Sequence, residues 1–331
     1  MTLALSILDT VPITDEADGA ASIHASVELA QRAEQLGYTR YWFAEHHGLA
    51  SVASTAPELL IAHVGAKTSR IRLGAGGVML LNHPALLVAE RYHTLAALYP
   101  GRIDLGLGRA PGGSPQASHA VRALGPQRFA DELATLRGLS AGSLPPTHPL
   151  AGLTALPAAT LPPIWLLGSS GASAQFAGMQ GLGYAFASHF SPTPAAPAFA
   201  AYRAAFRPGA QARPHAILAL SVVCAETMAR AREIAATQRL VFAWLRTGHL
   251  APLPHPERAL AHRYTPAEEA AARDFERLVV IGTPATVKAA IEARVEETGA
   301  DEVMLTQFVH APADRAAGMM LLAEAFGLAS R

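Results

Sequence analysis

The chain has 331 residues, 50% of them hydrophobic and 16% charged, which is too apolar for a disordered segment and long enough for two ordinary domains or one large α/β barrel. Lys plus Arg and Asp plus Glu each number 26, so there is no broad basic surface for nucleic acid or an anionic membrane. A single cysteine, Cys224, excludes an intrachain disulfide and a cysteine-based zinc site.

The start of the chain has no basic n-region, and the longest mostly apolar stretch, around residues 216–225, is far below the ~18 residues of a membrane helix. The expected compartment is the cytoplasm. From there on, short apolar runs alternate with amphipathic segments. Residues 3–8 form the first run. Ile23, Val27, Ala30, Ala33 and Leu36 then recur at helical steps until Gly37 stops them. Residues 38–44 are a second run and 57–66 a helix. Residues 71–78 are a third run, followed by a helix opened by Pro84 and closed by Pro100-Gly101. Residues 103–108 alternate as a strand, and 127–139 are helical.

Residues 141–162 are rich in Pro, Ala and Leu without a period and read as a surface insertion. Strands are expected at 164–167, 184–187 and 216–223, with helices at 172–180, 195–206 and 226–245. Residues 248–275, with Pro252, Pro254, Pro256 and Pro266, read as a second irregular insertion. A short run at 278–281 precedes a helix with Thr283 as N-cap, Pro284 at its first position and Gly299 as its stop. A last strand at 303–308 and a helix at 314–326 complete the pattern. Some eight strand–helix units imply a parallel sheet. At this length they favour a (β/α)8 TIM barrel, one domain over residues 1–331, with insertions near 141–162 and 246–276. None of the glycine-rich stretches is GxGxxG or a Walker A loop, which disfavours a dinucleotide-binding sheet.

In such a barrel the site lies where strands end. Glu45-His46-His47 follows the second strand; histidine there moves protons or binds metal, but no HxH or HExxH pattern supports a metal. Gly76 and Gly77 end the third strand, allowing a flat ligand close approach or simply bending the strand. Arg109, in a Gly/Pro loop after the fourth, suits a phosphate or an ion pair with a neighbouring loop. Gly168-Ser169-Ser170-Gly171 runs straight into a helix, where it binds phosphate or caps the helix. Ser188-His189-Phe190 follows the sixth strand. Together these describe one mouth with a phosphate grip, a glycine wall and histidines.

Glu45-His46-His47, GAGGVMLLNHPALLVAE, GRIDLGLGRAPG and PIWLLGSSGAS resemble the bacterial luciferase-like monooxygenase family, in particular its single-chain flavin enzymes. The resemblance runs from Leu3 to the C-terminal helix. It implies an FMN site at the C-terminal face of the barrel, with Arg109, Gly168, Ser169 and Ser170 on the phosphate. It places Ala75, Gly76 and Gly77 beside the isoalloxazine, where the family often has a non-proline cis peptide. His46 matches the catalytic histidine, and His189 joins the cofactor set. No metal is implied. The activity expected is that of a two-component monooxygenase. A separate reductase supplies reduced FMN, oxygen adds to give a peroxyflavin, and one oxygen atom passes to a small organic substrate. The alternatives are an F420-dependent oxidoreductase on the same barrel, or a non-catalytic flavin binder. An unrelated Schiff-base barrel is disfavoured because the only lysines, Lys67 and Lys288, read as helical. Residues 246–276 are a candidate lid. A homodimer is expected through the second and third units, where Ile61, Leu87 and Tyr92 lie. Gly108 stands where the luciferase α chain has a cysteine, and the substrate stays open.

Overall fold

Strands covered on both faces are apolar on both faces, because one side meets helices and the other the barrel interior. A computed structural model describes residues 3–328. Its strands are β1 (Ala4–Asp9), β2 (Arg40–Phe43), β3 (Arg72–Met79), β4 (Ile103–Gly108), β5 (Ile164–Gly168), β6 (Gly183–Ala187), β7 (Ala216–Cys224), β8 (Val279–Gly282) and β9 (Glu302–Thr306). Between and after them run α1 (Gly19–Gln35), α2 (Pro57–Gly65), α3 (Ala85–Leu98), α4 (Pro115–Ala120), α5 (Phe129–Ala141) and α6 (Gly171–Met179). They continue with α7 (Ala195–Ala205), α8 (Met228–Thr247), α9 (Pro256–Ala261), α10 (Pro266–Glu276), α11 (Pro284–Thr298) and α12 (Pro312–Phe326).

The strands β1 to β7 pair in sequence order, all parallel, and β9 closes the ring between β7 and β1. This is the expected (β/α)8 barrel, with one addition. Strand β7 outreaches its neighbour: Ile217–Ser221 pair with β9, and beyond them Val222–Cys224 pair with β8 alone. The apolar run at 278–281 is therefore an extra strand outside the barrel ring.

The second insertion is not irregular. Helix α8 ends at Gly248 (φ +82°); α9 and α10 follow, each with proline in its first turn, and Thr265 and Glu268 form a capping box on α10. Proline here starts short helices instead of breaking one. Residues 142–163 do lack helix and strand. Lys67 sits in the turn after α2, not in a helix.

The barrel interior is layered. At the N-terminal end Arg40 bridges Glu302 (Nε–Oε1 2.7 Å) and Asp104 (Nη1–Oδ2 2.7 Å), with Arg72 on Asp104 at 2.5 Å and His215 on Glu302 at 3.2 Å. Above this charged floor, Leu8, Trp42, Trp165, Ile217 and Met304 form the inner apolar cluster. Glycine makes room for the indoles: a Cβ on Gly74 would come within 2.7 Å of Trp42 Nε1. Higher still the inward residues are small, namely Ala44, Gly76, Ala187 and Ala219. The barrel is thus plugged below and narrow-walled above. The outward residues of the strands, such as Ile7, Tyr41, Leu105 and Phe186, pack with the helices in the main core.

Candidate active site

His46 leaves β2, Gly76 and Gly77 end β3, Arg109 follows β4, Ser169 and Ser170 follow β5, and His189 follows β6. Parallel strands deliver all of these to one rim. Ala75 differs: its side chain packs in the outer core, away from the interior. The Gly76–Gly77 peptide is cis, and β3 shifts register against β4 between Ala75 and Val78.

His46 and His189 are both half-buried, and each has an Nδ1 atom with no partner among the described residues. Burial holds the His46 pKa below the ordinary imidazole value; a proton on His47 lowers it further, while Glu45 opposes the shift. Burial pushes His189 down to about 4, and a charge on His46 adds to the effect. Both rings are therefore neutral near pH 7 and offer a hydrogen-bonding atom to a bound group or a water.

Ser170 is the N-cap of α6, its hydroxyl accepting from Ser173 N–H at 3.3 Å. Its hydroxyl is thus spent on capping, while the N–H end of α6 stays open: a Cβ on Gly171 would meet nothing within 4 Å. An open helix N-terminus attracts anions. Gly168 ends β5 beneath Ser173. Arg109 is exposed and makes no hydrogen bond or ion pair among the described residues.

Glu45 was not singled out by residue chemistry, yet it is fully buried and heavily bonded. Its Oε1 meets His47 Nε2 at 2.8 Å, His83 Nε2 at 2.9 Å and Asn82 Nδ2 at 3.3 Å; its Oε2 accepts from Met79 N–H at 3.0 Å. Burial alone would raise its pKa, but these bonds, led by His83, hold it below the usual carboxylate value. Asp15 was also missed. It pairs with His310 at 3.0 Å and with Arg258 on α9. The adjoining Asp15 N–H donates to Leu253 O at 2.9 Å. The segment 250–262 is thereby tied to the β1–α1 loop at the same end as the site.

A cavity of about 740 Å³ lies at the other end, lined by residues such as Arg137, Thr154, Leu161, Ile164, Leu182 and Gln211. It contains none of the rim residues, and the chemistry belongs with the rim. Among the described residues, no group of three His, Cys, Asp or Glu side chains is placed to hold a metal ion. No helix there is long and apolar enough to cross a membrane.

A family model described as luciferase-like monooxygenase matches residues 1–302. The chain belongs to the luciferase-like monooxygenase family. This makes it a flavin-dependent oxidoreductase or monooxygenase by class. A luciferase-like monooxygenase of Escherichia coli K12 is 37% identical over 310 residues, covering 92% of this chain and 91% of the relative. N-acetyl-S-alkylcysteine monooxygenase of Bacillus subtilis is 36% identical over 266 residues, covering 78% and 79%. The crystal structure of apo-MsnO8 superposes with a TM-score of 0.89 at 37% identity, over 100% of this chain and 99% of that one. The FMN complex of the oxygenating constituent of 3,6-diketocamphane monooxygenase from Pseudomonas putida has a TM-score of 0.69 at 17% identity, covering 98% of both chains, a likeness of fold alone. Within this family the rim described here is the candidate active site.

Proposed function

We propose that this luciferase-like protein is the oxygenating member of a two-component FMN system in the cytoplasm. The observation that carries the reading is the meeting, at one rim, of an arginine without a partner among the described residues, an open helix N-terminus and two half-buried imidazoles with unsatisfied Nδ1 atoms. These residues fit a phosphorylated planar cofactor. Reduced FMN bound there supplies the electrons for O2 activation, one oxygen atom going to an organic substrate and the other to water.

Arg109 and the backbone N–H groups at Ser169–Gly171 hold the phosphate. Gly76, Gly77, Ala187 and Ala219 leave the space a ring needs, and Leu8 and Met304 below them exclude water. His46, neutral and half-buried, holds or moves a proton at its Nδ1 atom. A separate reductase supplies the reduced flavin. Because the B. subtilis relative is named for a thioether substrate, small thioethers belong in the first substrate screen.

A homodimer through α2 and α3 is part of the same proposal. Ile61 and Tyr92 are core residues of the single chain, whereas Leu59, Leu87 and Leu98 present their side chains to solvent.

Anaerobic titration with reduced FMN and with F420 tests the cofactor reading. Saturable binding of reduced FMN, weakened by Arg109→Ala, is the expected result. Binding of F420 without binding of FMN would replace this reading with the F420-dependent one.

A further inference from the structure

Three loops leave adjacent strands at the rim, and one carboxylate touches two of them directly and the third through Asn82 and His47. Glu45 stands on the β2 loop. Its Oε2 takes the Met79 N–H, two residues past the cis Gly76–Gly77 bond on β3. Its Oε1 takes His83 Nε2 and Asn82 Nδ2 from the segment after β3. Asn82 Nδ2 also reaches Pro111 O at 3.0 Å, on the loop that carries Arg109. That loop is gripped a second time beside Glu45: His47 N–H donates to Gly112 O at 2.9 Å, and His47 bridges Gly113. His47 Nε2 meets Glu45 Oε1 at 2.8 Å. Gly112, at φ +70°, lies so close that a Cβ there would come within 2.9 Å of Glu45 O.

Among the described residues, nothing holds the Arg109 side chain. A long exposed side chain binds an anion well only if its backbone is fixed, since each immobilised rotamer otherwise costs affinity. Among the described residues, the Glu45 carboxylate is the charged group that links the arginine loop, through Asn82 and His47, to the β2 and β3 exits. We infer that Glu45 is a positioning residue for the phosphate end of the cofactor site: through Asn82 and His47 it fixes the β4 loop, and with it Arg109, against the β2 and β3 exits. It touches no cofactor. Glutamine in its place presents an NH2 group to at least one existing donor, so one strand of the hub opens while the shape is kept. This inference rests on the reading above that Arg109 binds the FMN phosphate.

The test compares FMN with riboflavin, which lacks the phosphate. Dissociation constants for both are measured by flavin fluorescence on wild type, Glu45→Gln, Arg109→Ala and the double variant, with the melting temperature of each unliganded protein. The expected result is an FMN affinity reduced about tenfold or more by either single change, with riboflavin affinity changed by less than about twofold. The double variant should bind FMN no more weakly than Arg109→Ala alone, because the two residues act through one contact. If Arg109→Ala selectively weakens FMN but Glu45→Gln leaves the FMN-to-riboflavin ratio unchanged, or lowers both ligands equally, the inference is overturned and the phosphate reading stands. If Arg109→Ala leaves that ratio unchanged, the phosphate reading fails and takes the inference with it. Should Glu45→Gln not fold, Asn82→Ala carries the same comparison: it cuts the strap to Pro111 without stranding a buried charge, and an unchanged ratio there overturns the inference.

Discussion

His46 and His189 leave β2 and β6, strands four places apart in the eight-stranded ring, and a proton on the first disfavours a proton on the second. Opposite strands face each other across the barrel, so the two imidazoles meet across its mouth. Each turns a buried, partnerless Nδ1 toward its surroundings. The pair accepts at most one proton easily, and His46, whose shift is opposed by Glu45, is the better place for it.

His46→Ala should therefore lower turnover by roughly 10²–10⁴-fold, the usual range for loss of a general acid or base. Reduced-FMN affinity should move far less, since the phosphate grip is untouched. Steady-state rates at saturating reduced FMN, set beside a binding titration, check both parts. Full turnover in the variant would remove the acid/base role.

The depressed imidazoles also make stability depend on pH. With His189 at about 4 in the fold against 6.5 for the free group, the unfolded chain binds more protons between those values. Stability is then fully present above pH 6.5 and declines as pH falls toward 4. The lowered Glu45 and Glu302 act in the same direction below pH 4.5. Melting temperature should be lower at pH 5 than at pH 7, and His189→Asn should shrink the difference. An equal difference in that variant would show that His189 does not carry it.

The charged floor makes a separate prediction. Arg40 reaches both oxygens of Glu302, at 2.7 and 2.9 Å, and Glu302 is held at about 2 against the burial that would raise it. Glu302→Gln leaves Arg40 buried with half its pairing, and should cost about 3–5 kcal/mol in urea unfolding. FMN affinity should not change, because the indole layer separates the floor from the rim. A large loss of affinity without loss of stability would contradict this division.

Asp15 makes the fourth. It joins the β1–α1 loop to His310 and to Arg258 of α9. Asp15→Asn removes the charge that holds both. Backbone amides of residues 250–262 should then exchange faster with deuterium, while those of β1 to β7 keep their rates. Unchanged exchange over 250–262 would mean that the pairing of Leu253 with Ile13 and Asp15 suffices to hold the segment.

Much of this was legible in the residues. Apolar runs bounded by Gly and Pro marked each strand, and 103–108 matched β4 end to end. The strand ends named His46, Gly76, Gly77, Arg109, Ser169, Ser170 and His189, because a parallel barrel must collect them at one rim. The Ala75 side chain faces the outer core, because strand alternation turns it away from the interior. Helices α9 and α10 were missed because Pro256 and Pro266 look like breakers; the Thr265–Glu268 capping box was the available signal. That the run at 278–281 lies outside the ring was not legible, because a period cannot tell which edge an apolar run pairs with. The Glu45 hub was invisible because Met79, Asn82 and His83 lie 34 to 38 residues away in sequence. The charged floor had a faint signature, since Arg40 and Glu302 each open a largely apolar strand.

The most direct test of the central claim is the rate at which the protein lets reduced FMN react with oxygen. Protein saturated anaerobically with reduced FMN is mixed rapidly with oxygenated buffer, and the absorbance of oxidised FMN is followed together with hydrogen peroxide release. The account predicts that oxidised absorbance returns roughly tenfold or more slowly than from free FMN, because the apolar layer of Leu8 and Met304 beneath the ring excludes water. A substrate that accepts oxygen should lower the peroxide released. Return as fast as from free FMN, with stoichiometric peroxide and no substrate effect, would contradict it.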